Sequence, residues 1–260
     1  MNGEETLFNR EGPIAYIIIK REKALNALNS NIMMRLEQIF SELEQDDQVI
    51  VVVITGEGNK AFIVGADVKE IKEAGTKRSE LIAKGQAIFS KIRGSSKVVI
   101  AAINGYALGG GCELAMACDI RIASENAKFG FPEAKLGLMA GYGGTQLLPR
   151  LLGVGRAKYL MFTGDMLTAA EAYQFGLVEK VCNSSEALME EVNILAKKIA
   201  SSGPFAVKAC KRAISRGIDL PLDNALKLEL DEYDRVAHSK DAEEGIAAFL
   251  EKRTPAFKGK

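Results

Sequence analysis

A run of three glycines followed closely by an acid is the segment of this 260-residue chain whose residue types could most readily do chemistry. It lies at 109–113 (GGGCE), where an apolar stretch typical of a strand runs into one typical of a helix. The N-terminus of a helix carries unpaired backbone N–H groups and a partial positive charge, and glycine lets a ligand approach them. Such a turn can bind an oxyanion, although the same glycines could serve only tight strand–helix packing.

Glu113 lies three residues after Gly110, which puts both on one face of the first turn if the helix begins there. Its carboxylate would lean back toward the helix N-terminus, beside the candidate anion site. An acid at this position also suits the helix dipole. Because residues 114–118 are apolar, we expect Glu113 to be poorly solvated.

The second candidate acid is Glu133, which follows 129–132 (FGFP), a turn signal with two aromatic residues. A carboxyl group near aromatic rings tends to have a raised pKa and can carry a proton near neutrality. As an isolated loop residue Glu133 would have only a surface role, so its function depends on what the fold places beside it.

A third candidate segment is 65–70 (GADVKE). Asp67 with Glu70 is similar to a capping box, although that motif usually begins with Ser or Thr. A helix that begins here would place the Ala66 amide at its entrance, where the N–H can donate outward. A helix start and a donor site are compatible interpretations.

Composition excludes several other kinds of site. His238 is the only histidine and lies among charged residues, which excludes a histidine-rich metal site and favours a solvated or capping role over a Ser-His relay. Lys+Arg and Asp+Glu both number 34, so no net charge attracts nucleic acid or an anionic membrane. The glycine turns at 109–111 and 153–155 lack the dinucleotide-binding spacing and the P-loop lysine.

Residues 1–12 are polar and show no signal-peptide core. No cysteine belongs to a C-x-x-C pair and each lies in an apolar stretch, which predicts buried free thiols in the cytoplasm at Cys112, Cys118, Cys182 and Cys210. The uncharged run 98–112 is shorter than the roughly twenty residues of a membrane span. We interpret it as a buried strand, a turn and a buried helix.

The elements that must position these residues alternate between strands and helices, which indicates a layered α/β core. Strands are predicted at 14–20, 49–55, 98–103, 120–123 and 127–129. Helices are predicted at 29–45, from 67, and at 79–93 and 109–118. The first of them has an apolar face formed by Ile32, Leu36, Ile39, Phe40 and Leu43. The remainder is mostly helical, with helices predicted at 145–151, 153–162, 168–175, 185–201, 204–216, 222–236 and 239–251.

Taken together, the motifs closely resemble those of the enoyl-CoA hydratase (crotonase) family. The matching segments cover nearly the whole chain in family-like order, and they are 23–28 (KALNAL), 61–67 (AFIVGAD), 103–114 (INGYALGGGCEL), 129–133 (FGFPE), 143–146 (GGTQ) and 249–253 (FLEKR). The resemblance implies an α/β crotonase (ClpP-like) fold. In that fold a spiral of ββα units, residues 1–201, precedes a helical region, 202–260, that builds homotrimers or hexamers.

The resemblance also implies roles for individual residues. Glu113 and Glu133 match the two catalytic glutamates, and the amides of Ala66 and Gly110 match the oxyanion hole. The residues that match substrate-binding positions are Lys23, Ala24, Leu25, Ala66, Asp67, Val68, Lys69, Gly110 and Phe131, together with Phe249 and Lys252, which can reach a neighbour's CoA. No metal or other cofactor is implied, because coenzyme A is part of the substrate.

The implied activity is that of a lyase that adds water reversibly, in syn fashion, to a trans-2-enoyl-CoA to give a 3-hydroxyacyl-CoA, with short chains such as crotonyl favoured. Two amides would stabilise the enolate oxygen while two carboxyl groups act on one water. Hydration of a cyclic dienoyl-CoA and enoyl-CoA isomerisation stay open as alternatives. A non-catalytic acyl-CoA-binding or RNA-binding relative is disfavoured, because both glutamates are present and the net charge is zero.

Three residues depart from the family pattern, which usually has Gln at Phe131 and often has Pro at Ala140 and Arg at Leu147. They lie near or after Glu133, in the region that shapes the acyl pocket. We expect Phe131 to narrow and dry the pocket around Glu133 and so to influence acyl preference. Chain length, pathway and the choice between trimer and hexamer stay open.

Overall fold

The computed structural model describes residues 5–260. Its strands are β1 (Thr6–Glu11), β2 (Ile14–Ile19), β3 (Val51–Gly56), β4 (Ala61–Val64), β5 (Val98–Ile103), β6 (Tyr106–Leu108), β7 (Ile120–Ser124), β8 (Lys128–Gly130), β9 (Met166–Thr168) and β10 (Lys180–Cys182). Its α-helices are α1 (Ser30–Leu43), α2 (Val68–Glu73), α3 (Arg78–Arg93), α4 (Gly110–Ala117), α5 (Gly144–Leu152), α6 (Val154–Thr163), α7 (Ala169–Phe175), α8 (Ser185–Ala200), α9 (Pro204–Gly217), α10 (Leu222–Ala237) and α11 (Lys240–Leu250). Short 3₁₀ turns lie at Glu22–Ala24, Gly75–Lys77 and Pro132–Leu136.

The strands divide between two sheets as the chain winds. One sheet has the order β1-β2-β3-β5-β7-β10 and the other the order β4-β6-β8-β9. Successive strand pairs, β3 with β4, β5 with β6 and β7 with β8, each place one strand in each sheet before a helix follows. This succession confirms the predicted spiral of ββα units.

Burial explains why the central strands form. Every residue of β3 and of β5 is buried, as expected of parallel strands covered on both faces. Alternate residues of β3 enter different cores: Val52 and Ile54 pack on one side of the sheet, and Val51 and Val53 on the other. On α1, Asn29 caps the N-terminus, and the apolar face expected from the sequence is buried.

The register of the second sheet positions the candidate site. Leu108, the last residue of β6, pairs with Gly130, the last residue of β8. The glycine run that begins α4 therefore lies beside the segment that leads to Glu133. β4 ends at Val64, which pairs with the same Leu108 and brings Ala66 to this edge of the sheet.

The predicted strand at 98–103 is β5, and the helix predicted at 222–236 is α10 with one residue added. The prediction missed β1 and four shorter strands, β4, β6, β9 and β10, which have three or four residues each. Strands this short are stabilised by pairing with distant segments rather than by a local pattern.

Apolar side chains of the C-terminal helices are exposed in the isolated chain. Ile214, Leu230 and Phe249 are 70%, 66% and 82% exposed. Cys210 on α9 is also exposed, which corrects the prediction that all four thiols are buried, whereas Cys112, Cys118 and Cys182 are buried and free. Among residues 5–260, no helix is long and apolar enough to cross a membrane.

Candidate active site

A cavity of about 600 Å³ lies between α3, α4 and the loop that joins β8 to α5. Apolar side chains form much of its wall, among them Ile82, Leu108 and Met139, and the wall also contains Glu113 and Glu133. A largely apolar cavity on which a few polar groups converge is typical of a small-molecule site.

Two backbone N–H groups, those of Ala66 and Gly110, lie close together at this cavity. Ala66 pairs with Leu28 in a parallel bridge whose hydrogen bonds use the neighbouring Asp67 N–H and Gly65 carbonyl. Gly110 is the first residue of α4, where an N–H has no partner within the helix. Neither nitrogen donates to another protein atom of the described chain. An ideal Cβ on Gly110 would lie 3.4 Å from the Ala66 nitrogen, so the two amides are close neighbours.

Gly109 makes the turn between β6 and α4 with a backbone conformation that favours glycine. Its φ is 51° and its ψ is −118°. Its N–H donates to the Gly130 carbonyl at 2.8 Å, which ties the start of α4 to β8. The missing side chain also makes room for Glu133, because a Cβ on Gly109 would overlap the Glu133 Oε1 atom.

The backbone of a later segment, residues 142–144, holds the Glu113 carboxylate through hydrogen bonds. Glu113 is 1% exposed, and its Oε1 atom accepts hydrogen bonds from the Tyr142 and Gly144 N–H groups, each at 2.7 Å. Gly144 begins α5, so this oxygen lies at a second helix N-terminus. Burial raises the Glu113 pKa to about 7; the hydrogen bond from Gly144 opposes the rise, and the charge of Glu133 adds to it.

Glu133 approaches the same cavity from the 3₁₀ turn Pro132–Leu136. Its carbonyl accepts the Leu138 N–H at 3.0 Å, which stabilises the turn. Its Oε2 atom is buried and has no hydrogen-bond partner among residues 5–260. Burial raises the Glu133 pKa above its ordinary value.

The arrangement is suited to chemistry on a carbonyl compound. Two donors converge where an oxyanion could form, and two carboxyl groups with raised pKa values share one cavity. Burial raises the pKa of both groups, and the charge of Glu133 adds to the rise at Glu113, so a carboxyl group of this cavity can hold a proton near neutrality. Such a pair can take a proton from a water and give one to carbon.

The segment predicted to bind coenzyme A at 23–25 lies beside β4. Lys23 and Ala24 belong to the 3₁₀ turn, and Leu25 follows in the left-handed region with a φ of 50°. The Leu25 carbonyl accepts the Val64 N–H at 3.2 Å, which places this segment against the strand that leads to Ala66.

The segment 67–70 caps α2, but not as the predicted capping box. Asp67 accepts the Lys69 N–H at 2.9 Å, whereas the Glu70 carboxylate binds the N–H and hydroxyl of Ser30. The Asp67 N–H is already bonded to Leu28, so it cannot take Glu70 as its acceptor. Val68 is exposed at the cavity.

Asp67 also has a partner that the sequence did not indicate. The Arg21 guanidinium lies 2.7 Å from the Asp67 Oδ2 atom. Partial burial acts to raise the Asp67 pKa, but the hydrogen bonds from Arg21 and the Lys69 N–H, together with the charge of Arg21, outweigh it and hold that pKa below its usual value. This ion pair joins the chain before the 3₁₀ turn to the start of α2.

Phe131 does not lie where the pocket prediction requires. Its side chain is 2% exposed and belongs to the core, and it is not among the residues that line the cavity. Its ring is close to Gly144, on which an ideal Cβ would lie 3.0 Å from the ring and 2.9 Å from the Glu113 Oε1 atom. Phe131 therefore packs in the core beside Gly144, whose N–H binds Glu113, and does not form the acyl wall.

Three other residues lie away from the cavity. Phe249 is 82% exposed on α11, and Lys252 follows that helix with a φ of 55°, so a role at a neighbour's CoA stays a prediction. The His238 Nδ1 atom lies 2.8 Å from the Asp234 carbonyl at the end of α10, which confirms an exposed capping position.

Sequence reasoning missed the backbone that holds Glu113. The motif at 143–146 was recognised without a role, and Tyr142 was overlooked. Gly143 has a φ of 116° and caps α5, which aims the Gly144 N–H at Glu113. The glycine pair before a helical stretch is the signal that could have indicated a second anion-binding helix N-terminus.

Comparison with known proteins gives consistent matches. The profile of the family described as enoyl-CoA hydratase/isomerase matches residues 9–260. The short-chain-enoyl-CoA hydratase of Clostridium acetobutylicum is 45% identical over 97% of each chain, and the crotonyl-CoA hydratase of Syntrophomonas wolfei is 43% identical over 98% of each. The crystal structure of an enoyl-CoA hydratase from Bacillus anthracis, 42% identical, superposes with a TM-score of 0.94 over 99% of this chain and 100% of that one.

Proposed function

The chain belongs to the enoyl-CoA hydratase/isomerase family, and from this membership we propose that its cavity hydrates short-chain trans-2-enoyl-CoA thioesters. The fold is the crotonase fold, and the enzyme is a hydro-lyase. The observation that carries the assignment of residues is the meeting of two backbone donors with the buried Glu113 and half-buried Glu133 carboxyl groups at one cavity.

The thioester carbonyl oxygen accepts hydrogen bonds from the Ala66 and Gly110 N–H groups. Attack at the β-carbon moves negative charge onto that oxygen, so the two amides stabilise the enolate more than the ground state. One such donor contributes about 3–4 kcal/mol to a transition state. The Ala66 nitrogen lies in a backbone bridge to Leu28 just after β4, and the Gly110 nitrogen lies at the start of α4, so backbone structure positions both donors before the substrate binds.

Water lies between the two carboxyl groups. One glutamate in its ionised form takes a proton from the water as its oxygen bonds to the β-carbon. The other in its protonated form gives a proton to the α-carbon, and the reverse reaction exchanges these roles. These steps require amides, carboxyl groups and water, so the proposed mechanism uses no metal or redox cofactor.

The coenzyme A part of the substrate lies along 23–25 and 66–69. This placement is supported by the position of Leu25 beside β4 and by the exposure of Val68 at the cavity. The Arg21–Asp67 ion pair connects the two segments. The aromatic ring of Phe131 would have favoured the alternative of a cyclic dienoyl substrate, but that ring is buried and does not line the cavity.

The activity test mixes the purified protein with crotonyl-CoA. Hydration lowers the ultraviolet absorbance of the conjugated thioester, and mass spectrometry should show the gain of one water. A parallel sample with a 3-enoyl-CoA tests isomerisation, in which absorbance rises as conjugation forms. Rapid isomerisation without hydration of crotonyl-CoA would contradict the proposal.

The same proposal includes a homotrimer or hexamer built by the region 202–260. The exposed apolar side chains of α9 to α11 support it, because large apolar interfaces are typical of obligate oligomers. In such an assembly Phe249 and Lys252 reach a neighbour's CoA. Light scattering at micromolar concentration should give an oligomeric mass, and a monomeric mass would rule out the assembly.

A cytoplasmic location belongs to the proposal as well. It is supported by the free thiols of Cys112, Cys118 and Cys182, which lie buried without forming disulfides. Localisation of a tagged copy by cell fractionation tests it, and recovery from an extracellular fraction would contradict it.

A further inference from the structure

A second, smaller cavity of about 270 Å³ lies next to the catalytic one. Four residues line both cavities: Gln86, Tyr142, Gly143 and Gln146. Of these, Tyr142 has the only ring, and its side chain is 7% exposed. The two spaces are therefore neighbours, with the Tyr142 ring at the boundary between them.

Contacts on several sides hold this ring in place. On α3, a Cβ at Gly85 would overlap the ring, so only glycine leaves room for it. On α4, an ideal Cβ at Gly110 would lie 3.3 Å from the ring's Cδ2 and Cε2 atoms. The Phe89 ring meets it edge-on, with centroids 5.1 Å apart and planes at 66°. The ring is a fixed wall rather than a mobile side chain.

The wall stands close to the proposed chemistry. The Tyr142 backbone N–H binds the Glu113 Oε1 atom, and its ring packs against Gly110, one of the two proposed oxyanion donors. Burial raises the Tyr142 pKa to about 12, so the phenol stays neutral. The ring is therefore an uncharged surface directly beside one of the two proposed oxyanion donors.

The space beyond the wall is chemically different from the space before it. Its lining includes Arg93 and Arg150, and the Arg150 Nε atom binds Asp219 at 3.1 Å. Leu147, which stands where relatives often have Arg, also lines this second space. A longer apolar chain would have to displace the Tyr142 ring and then enter polar surroundings, which costs free energy.

We infer that Tyr142 is the residue that sets the upper length of the acyl chain. Short enoyl chains end at its ring, and longer chains are rejected by contact with it. The inference rests on the proposed function and deepens it, because it assigns the short-chain preference to one side chain. The Tyr142 ring acts on binding of the acyl tail. The difference between short and long substrates should therefore appear more in KM than in kcat.

The experiment measures kcat and KM for crotonyl-CoA, trans-2-hexenoyl-CoA and trans-2-octenoyl-CoA with the wild type, Tyr142→Ala and Tyr142→Phe. Tyr142→Ala keeps the backbone N–H that binds Glu113 and removes the wall. We expect the octenoyl-to-crotonyl ratio of kcat/KM to rise by about tenfold or more, since a methylene-scale change in a pocket is worth roughly 10–200-fold. Tyr142→Phe keeps the ring and should keep the ratio.

Tyr173→Ala is the matched control, because Tyr173 is 58% exposed and lines neither cavity. If Tyr142→Ala does not fold, Tyr142→Leu, which keeps apolar volume without the full reach of the ring, replaces it. An unchanged ratio in a variant that still hydrates crotonyl-CoA overturns the inference and leaves the proposed function intact. A wild type that hydrates none of the three thioesters overturns the proposed function itself.

Discussion

The two acids reach the same cavity from two regions that hold their carboxyl groups in different ways. Glu113 lies on a buried helix, and one of its oxygens accepts two N–H groups, from Tyr142 in a later loop and from Gly144 at the start of α5. Glu133 lies on a short 3₁₀ turn, where one carboxyl oxygen is buried without a partner among residues 5–260 and the other lies against Gly109. Hydrogen bonds thus hold one acid, and steric contact positions the other.

This difference suggests a division of labour. A carboxylate held by two N–H groups has a fixed direction and is suited to orient a water. A carboxyl group with one buried oxygen that has no hydrogen-bond partner in the described chain can gain a proton there without breaking bonds to the protein, which suits proton transfer to carbon. We therefore expect Glu113 to act as the base on water and Glu133 as the acid during hydration.

The largest effect should come from replacing either carboxyl group. Glu113→Gln and Glu133→Gln should each lower kcat by about 10²–10⁴-fold while retaining acyl-CoA binding. The amide oxygen of Gln can still accept both N–H groups at position 113, so the fold should persist. Steady-state kinetics and CoA-ester binding check this, with the exposed Glu37→Gln as the control. A kcat above about a tenth of wild type would remove that residue from the mechanism.

A steric change at Gly109 should disturb Glu133 more than Glu113. Gly109→Ala introduces a Cβ that overlaps the Glu133 Oε1 atom at a backbone conformation unfavourable for alanine. A misplacement of this size costs about 10²-fold in rate. In a Glu133→Gln background the same change should cost much less, because both act through one group. Additive losses would show that Gly109 acts elsewhere.

The pH dependence should separate the two acids. Hydration requires one protonated and one ionised carboxyl group, so wild-type kcat/KM should fall by about tenfold per pH unit above the pKa at which the second proton is lost. Since burial raises the pKa of both groups, and that of Glu113 to about 7, this decline begins near or above neutrality.

The Glu133→Gln and Glu113→Gln variants should show opposite dependences of residual activity on pH. With Glu133→Gln, residual activity depends on ionised Glu113 and should rise with pH through its pKa. With Glu113→Gln, residual activity depends on protonated Glu133 and should fall as pH rises. Profiles with the same slope in both variants would refute the division of labour.

The smallest effect is expected at Phe131, whose ring lies beside Gly144, a backbone donor to Glu113. Phe131→Gln places a polar amide in the core, where an unsatisfied group costs about 1–3 kcal/mol of unfolding free energy. Because the ring does not line the cavity, kcat/KM should fall by several-fold in parallel for all enoyl chain lengths. Chemical denaturation and a substrate series check this. A changed ratio among substrates would restore the pocket role expected from the sequence.

Local sequence patterns determined the main buried strands and helices of this protein and indicated its family. Apolar runs predicted the strands buried on both faces, and the periodicity of α1 predicted its core-facing side, because burial repeats along a strand or helix with a fixed spacing. The glycine run before Glu113 indicated a helix N-terminus with open N–H groups. The motifs in order then indicated the family and its two glutamates.

Tertiary structure alone decided how these pieces meet. Short strands such as β4 and β6 exist through pairing with distant segments, and that pairing is what brings Ala66 beside Gly110. The backbone that binds Glu113 comes from residues about thirty positions later, and the wall at Tyr142 depends on a glycine of α3. Phe131 faces the core rather than the cavity for the same reason. Contacts between residues far apart in sequence leave no periodic signal, so the chain alone could name Ala66, Gly110 and Glu113 but not place them, and it gave no indication of Tyr142.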